Sequence, residues 1–240
     1  MENSTNIVNW KNVFAQSDTF KKNKPFKFAF VEDFFVKDFY EKLYETYPKI
    51  DDTWTYSTNP IKTQLNRWWG EFTDGKFIEP VEDPSYSPEW NKFVLYAQSN
   101  EFIENVRKFS GVDFNKLKYF GFTSYKKGGF QQPHTHNVGS NTLIMMFYFS
   151  KNWQEDDPGG TYMTIDDDES KIIFEPYNLD NSMACFQDGP DSSHGVRLIK
   201  KDVERRGIQL YYEKYSDENG WSGIDPNHPE VKSQKLDVDF

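Results

Sequence analysis

Three of the four histidines in this 240-residue chain fall where imidazoles could share a metal ion: His134 and His136 in QQPHTHN, and His194 in DSSHGV. In an extended strand, residues i and i+2 face the same side, with Cα atoms about 6–7 Å apart. That spacing lets His134 and His136 chelate one ion. A third imidazole from a distant strand completes a facial site with open positions for water, substrate or O2, and this donor type suits iron, zinc, copper and nickel. The same residues also fit a simpler role, as polar groups in a turn after Pro133 that stack on neighbouring rings. His228, in DPNHP, has no chemical role in this reading.

A second candidate is the pair Arg205–Arg206 in ERRGIQLYYE, eleven and twelve residues after His194. An inward-facing arginine on a strand offers a fixed two-pronged donor to a carboxylate. An exposed pair opening a strand is the alternative. Cys185 lacks a neighbouring base and reads as a core residue. The acidic run Asp166, Asp167, Asp168 and Glu169 reads as a solvated turn.

The elements that must position these residues change character along the chain. Residues 1–24 form a polar lead-in with one short helix near Trp10–Ala15. FKFAFVEDFF then reads as a strand, and VKDFYEKLYETYP as an amphipathic helix stopped by Pro48. From Asp51 to Pro88 lies a long Trp-, Gly- and Pro-containing stretch, expected to be a loop and a candidate substrate-side wall. A helix starting at Pro88 follows. The next starts after Ser99, with Gly111 as its C-cap. Beyond Lys116, turn chemistry such as KKGGF, DDPGG and DDDES separates short aromatic and β-branched runs, about seven strands in all. The expected organisation is one domain over 25–215, helix-rich over 25–115 and β over 116–215, with a tail over 216–240.

Composition narrows the function classes. With 7 Trp, 14 Tyr and 22 Phe, the apolar volume resides in large rings that can build a core. A single cysteine excludes an internal disulfide and a multi-cysteine metal site. A net charge of −10 disfavours a nucleic-acid partner. The longest apolar run, Leu143 to Phe149, is too short to span a bilayer, and no signal-like segment opens the sequence. A soluble cytoplasmic protein is expected, with no membrane partner.

In order and content, residues 26–215 resemble the iron(II)- and 2-oxoglutarate-dependent oxygenases, in their prolyl-4-hydroxylase-like branch. SYKKGGFQQPHTHN supplies the tyrosine (Tyr125), the Gly-turn (Gly128, Gly129) and the first metal histidine (His134). TLIMMFYFS and QEDDPGGTYMTI match the following apolar strand, acidic turn and Gly-Gly strand. His194-Gly195-Val196 matches the distal histidine, and RRGIQLYY the final arginine strand. The resemblance implies a mainly β fold with α: a double-stranded β-helix (jelly-roll) core carrying N-terminal helices. It also implies Fe(II), 2-oxoglutarate as co-substrate, O2, and ascorbate as a reductant. The reaction implied is hydroxylation of a C–H bond in an amino-acid, peptidyl or small-metabolite substrate, coupled to decarboxylation of 2-oxoglutarate to succinate.

Within that resemblance, His134, His136 and His194 are the implied metal ligands. Arg205 pairs with the far carboxylate of 2-oxoglutarate, and Tyr125 hydrogen-bonds the co-substrate. Arg205 is preferred to Arg206 because Gly207 then occupies the serine position of the family's Arg-x-Ser. The departure is His136, which stands where the family carries aspartate. A neutral imidazole there removes one negative charge from the metal's ligands. His also fills the space that halogenating relatives leave for chloride. Asp188 and Asp191 are alternative carboxylates. Two other classes remain open: a cupin-like three-histidine metalloenzyme that does not use 2-oxoglutarate, and a non-catalytic β-barrel ligand-binding protein.

Overall fold

The computed structural model describes residues 7–70, 81–136, 139–154, 157 and 159–223. Two short helices, α1 (Trp10–Ala15) and α2 (Ser17–Lys22), open the described chain. The lead-in is more firmly held than its polarity suggests, because Ile7, Val8, Val13 and Phe20 are all buried. Strand β1 (Phe28–Val31) and helix α3 (Lys37–Glu45) follow as the sequence pattern requires.

The long stretch after Asp51 differs from expectation. It contains a hairpin, β2 (Thr55–Asn59) and β3 (Lys62–Trp68), closed by Asn59, whose Oδ1 accepts from the Ile61 and Lys62 amides at 3.0 and 2.9 Å. Residues 71–80 lie outside the described residues. Trp54 and Trp69 are buried in the main core, and Trp69 stacks on Tyr86 with ring centroids 4.1 Å apart. They therefore pack the body of the protein and do not line an entrance.

Helices α4 (Pro88–Ala97) and α5 (Asn100–Ser110) start at serine caps: the Ser87 and Ser99 hydroxyls accept from the Trp90 and Phe102 amides. Gly111 ends α5 at φ +69°, a left-handed conformation that glycine adopts without steric cost. The β-rich half comprises β4 (Lys116–Tyr125), β5 (Phe130–His134), β6 (Leu143–Phe149), β7 (Tyr162–Ile165), β8 (Asp168–Phe174), β9 (Asp180–Gln187), β10 (His194–Val196) and β11 (Arg205–Glu213). A small hairpin, β12 (Tyr215–Ser216) with β13 (Gly220–Trp221), packs beyond it, and the rest of the expected tail, from residue 224 onward, lies outside the described residues.

One antiparallel sheet of eleven strands carries the molecule, in the order β1-β9-β6-β11-β4-β3-β5-β10-β7-β8, with β2 beside β3. Its two faces are separated by the period of two. On β6, Leu143, Met145, Phe147 and Phe149 join the main core shared with the helices, while Ile144, Met146 and Tyr148 join a second core with Phe26, Phe28, Met163 and Phe186. This explains the uninterrupted apolar run of β6: both of its faces are covered. The helices thus back one face of a curled sheet, and its other face encloses an interior.

Candidate metal and co-substrate site

The interior face collects the chemistry. Antiparallel β5 and β10 place His134 opposite His194, with ring centroids 4.4 Å apart. His134 is the last residue of β5, so His136 reaches the site from the loop beyond the strand and not from a continuous strand face. Its ring lies 5.0 Å from that of His134 and 4.8 Å from that of His194. One ligand nitrogen from each residue lies within 4.8 Å of the other two. Among the described residues these three alone form such a group of potential metal-holding side chains. Asp191 is exposed and outside it, and Asp188 sits behind His136, with 3.9 Å between Oδ1 and the imidazole Nδ1.

Backbone acceptors set the orientation of two rings. His134 Nδ1 lies 2.9 Å from the carbonyl of Gln132, and His194 Nδ1 lies 2.9 Å from the carbonyl of Ser192. Donation from Nδ1–H to these carbonyls leaves each Nε2 lone pair facing the cluster. Nε2 of His134 and His136 are 3.2 Å apart, as two acceptors drawn toward one cation would be. Burial holds all three imidazoles neutral. It lowers the pKa of His134, pushes His136 down to about 3 with help from the neighbouring His134 and Lys62 charges, and holds His194 well below the ordinary value. Neutral imidazole is the ligand form.

Next to this cluster runs a cavity lined by Thr123, Tyr125, Tyr148, Thr161, His194 and Arg205, among others. Alternation along β11 places Arg205 on the face shared with Gly207, Gln209 and Tyr211, pointing inward, and it is 5% exposed. Arg206 points the other way, paired with Glu204 at 3.1 Å and lying over the Tyr47 ring. Of the two arginines, Arg205 is the one that lines this cavity. The Arg205 guanidinium lies 4.8 Å from the Tyr125 ring centroid and 5.2 Å from that of Tyr148, and its Nη2 donates to Thr161 Oγ1 at 3.1 Å. Its Nε and Nη1 are buried and have no hydrogen-bond partner among the described residues. Two orphaned donors on a buried cation represent an energetic cost that an anionic ligand would remove.

Tyr125 meets Arg205 across the β4–β11 register. Its hydroxyl is 2.6 Å from Gln64 Oε1 and 3.1 Å from Gln131 Oε1, and burial raises its pKa to about 12, so it is a neutral donor. Gln64 on β3, Gln131 on β5, and Tyr148 and Thr161 around Arg205 are site residues that motif reading did not single out. Only the Gly-Gly step before Thr161 signalled the last of these. A Cβ on Gly160 would stand 2.8 Å from Tyr148 Cζ, so the bare backbone there admits the ring that flanks Arg205.

The donor set fits the cofactors implied by the sequence resemblance: three convergent neutral nitrogens for a divalent metal, and beside them a buried arginine with free donors for a carboxylate. Comparison with known proteins agrees at the level of fold. The chain is similar to a prolyl-4-hydroxylase from Pseudomonas putida at TM-score 0.62 and 12% identity, over 84% of this chain and 98% of that one. A prolyl hydroxylase from Trichoplax adhaerens, in complex with a hypoxia inducible factor peptide fragment, matches at TM-score 0.58 and 16% identity, over 85% and 88% of the two chains. A 2OG-Fe(II) oxygenase family oxidoreductase from Burkholderia pseudomallei matches at 0.55 and 10%, over 85% and 90%. No family model and no curated protein matches the sequence. The fold is therefore a mainly β double-stranded β-helix with helices packed on one face, as in these neighbours. No helix of the described residues is long and apolar enough to cross a membrane.

Proposed function

We propose that this chain is a metal- and 2-oxoglutarate-dependent oxygenase that hydroxylates a C–H bond of an amino-acid, peptidyl or small-metabolite substrate. The observation that carries the reading is the buried Arg205, with Nε and Nη1 unpaired, in the cavity that His194 also lines. His134, His136 and His194 would hold Fe(II) through Nε2, and Arg205 with Thr161 would hold the far carboxylate of 2-oxoglutarate. When bound, the iron and co-substrate supply the oxidising power for C–H hydroxylation, with ascorbate as a reductant that keeps the metal ferrous.

The protein's own residues bind and orient. Arg205 neutralises the distal carboxylate and fixes the chain direction of the co-substrate by a two-pronged contact. Tyr125, neutral and 2.6 Å from Gln64, donates a hydrogen bond without carrying charge. Phe186, with its ring centroid 4.5 Å from that of His194, and Tyr148 exclude bulk water from one side.

A three-histidine enzyme indifferent to 2-oxoglutarate is the second reading, favoured by the absence of a carboxylate among the three clustered groups. Oxygen-dependent conversion of 2-oxoglutarate to succinate separates the two. The first reading expects turnover that Arg205→Ala and His194→Ala each abolish. Metal-dependent activity unchanged by 2-oxoglutarate would establish the second.

A further inference from the structure

The three imidazoles are not held alike. His134 and His194 each place Nδ1 2.9 Å from a carbonyl two residues earlier in the chain. His136 Nδ1 is buried and makes no hydrogen bond among the described residues. The acceptor standing off it is Asp188 Oδ1, at 3.9 Å, on a side chain with no exposed surface. Asp188 follows the end of β9, where its amide donates to the Thr142 carbonyl at 3.0 Å and Oδ1 accepts from Ser192 Oγ at 3.1 Å. Ser192 is also the residue whose carbonyl orients His194. The carboxylate is thus fixed by the same turn that positions another member of the cluster.

Resting on the three-histidine reading above, we propose that Asp188 is the positioning residue of His136: a carboxylate behind the imidazole that fixes its Nε2 on the metal. A gap of 3.9 Å is too long for a hydrogen bond. Coordination at Nε2 draws electron density from the ring and makes Nδ1–H a stronger donor, so a small ring rotation closes the contact onto Oδ1. A carboxylate in this position raises the basicity of the ligand and fixes its tautomer. It also returns to the site the negative charge that a direct carboxylate ligand would have brought, one residue further from the metal. The arrangement gives a reason for an imidazole whose Nδ1 has no hydrogen-bond partner among the described residues.

Co(II) titration of the full chain, followed by its visible ligand-field absorption, tests this. Asp188→Asn keeps an oxygen for Ser192 but loses the charge, and it is expected to weaken Co(II) binding about 10- to 100-fold. In a His136→Ala background the same change is expected to alter affinity less than about 2-fold, because the residue through which Asp188 acts is gone. Unchanged affinity in the single variant overturns the proposal. An equal loss in both backgrounds also overturns it, since that is the signature of a general structural role. If Asp188→Asn does not fold, nitrogen-15 spectra of the wild-type chain loaded with Zn(II) decide. A metal-bound Nε2 with a downfield, exchange-protected Nδ1 proton on His136 supports the proposal, and coordination through Nδ1 overturns it. Failure of the wild-type chain to bind Co(II), or binding indifferent to His194→Ala, sinks the three-histidine reading and this inference with it.

Discussion

At the scale of single residues, burial governs the charge of the site. Each of the three imidazoles has a pKa below its ordinary 6.5 because the charged form loses water, and for His136 the neighbouring His134 and Lys62 add repulsion. A histidine whose pKa falls on folding binds fewer protons in the folded state than in the unfolded one. Its contribution to stability is complete above pH 6.5 and is lost as pH falls toward the folded value, about 3 for His136. Urea midpoints of the metal-free protein are therefore expected to fall steadily between pH 7 and pH 4, and His136→Gln is expected to flatten that slope. For Arg205, the proposed function makes it one half of a buried charge pair with the co-substrate, which Arg205→Met would remove. That should cost about 2–5 kcal/mol, at least about 30-fold in 2-oxoglutarate affinity by calorimetry. Arg206→Ala, on the opposite face, should leave that affinity within about 2-fold.

The convergence of the histidine trio was legible because histidine is scarce and its spacing here is chemical, and Arg205 stood out through the family resemblance, with Gly207 in the serine position. Even so, the strand-face argument for His136 was incomplete, since β5 stops at His134. Gln64 and the outer position of Asp188 were not legible, and Thr161 only through the Gly-Gly step before it, because each meets a partner distant in sequence.

At the scale of elements, β10 carries the most constrained position. His194 on β10 must pair with both β5 and β7, and Gly195 permits this, because a Cβ there would stand 2.4 Å from Tyr162 Oη and 2.8 Å from the Gln131 carbonyl. Gly195→Ala is expected to destabilise the fold by about 1–3 kcal/mol. It should also weaken metal binding, as read by a shifted chemical-denaturation midpoint and a Co(II) titration on the same sample. Helices α4 and α5 were readable from capping residues and period, and α3 from period, whereas α2 was not expected. The β2–β3 hairpin was not, because β2 presents mostly exposed polar residues and β4, the partner of β3, lies beyond two intervening helices. That hairpin nevertheless matters to the site: β3 pairs with β5 through Lys62 opposite Gln131 and Thr63 opposite Phe130, bracing the strand that ends in His134.

At the scale of the whole molecule, aromatic rings join the helical layer to the sheet. Trp90 has no exposed surface and meets Phe122 and Phe149 at centroid distances of 4.9 and 5.3 Å, with its indole N–H donating to the Thr46 carbonyl at 3.2 Å. Trp90→Ala is expected to cost about 3–5 kcal/mol in a denaturant titration. Cys185 on β9 has no exposed surface, and burial raises its thiol pKa. A thiol reagent should therefore react only as the chain unfolds, with the same urea midpoint as circular dichroism. The mainly β class with N-terminal helices was evident from strand-length runs and turn signals, whereas the order in which strands meet around the interior depends on contacts across the whole chain.

The central claim is that one interior holds both a metal on three histidines and a 2-oxoglutarate on Arg205. Anaerobic titration of Fe(II) and 2-oxoglutarate into the protein tests it directly. The account predicts a visible metal-to-ligand charge-transfer band that needs both components and disappears in His194→Ala and Arg205→Met. Fe(II) binding with no such band at saturating 2-oxoglutarate would contradict it.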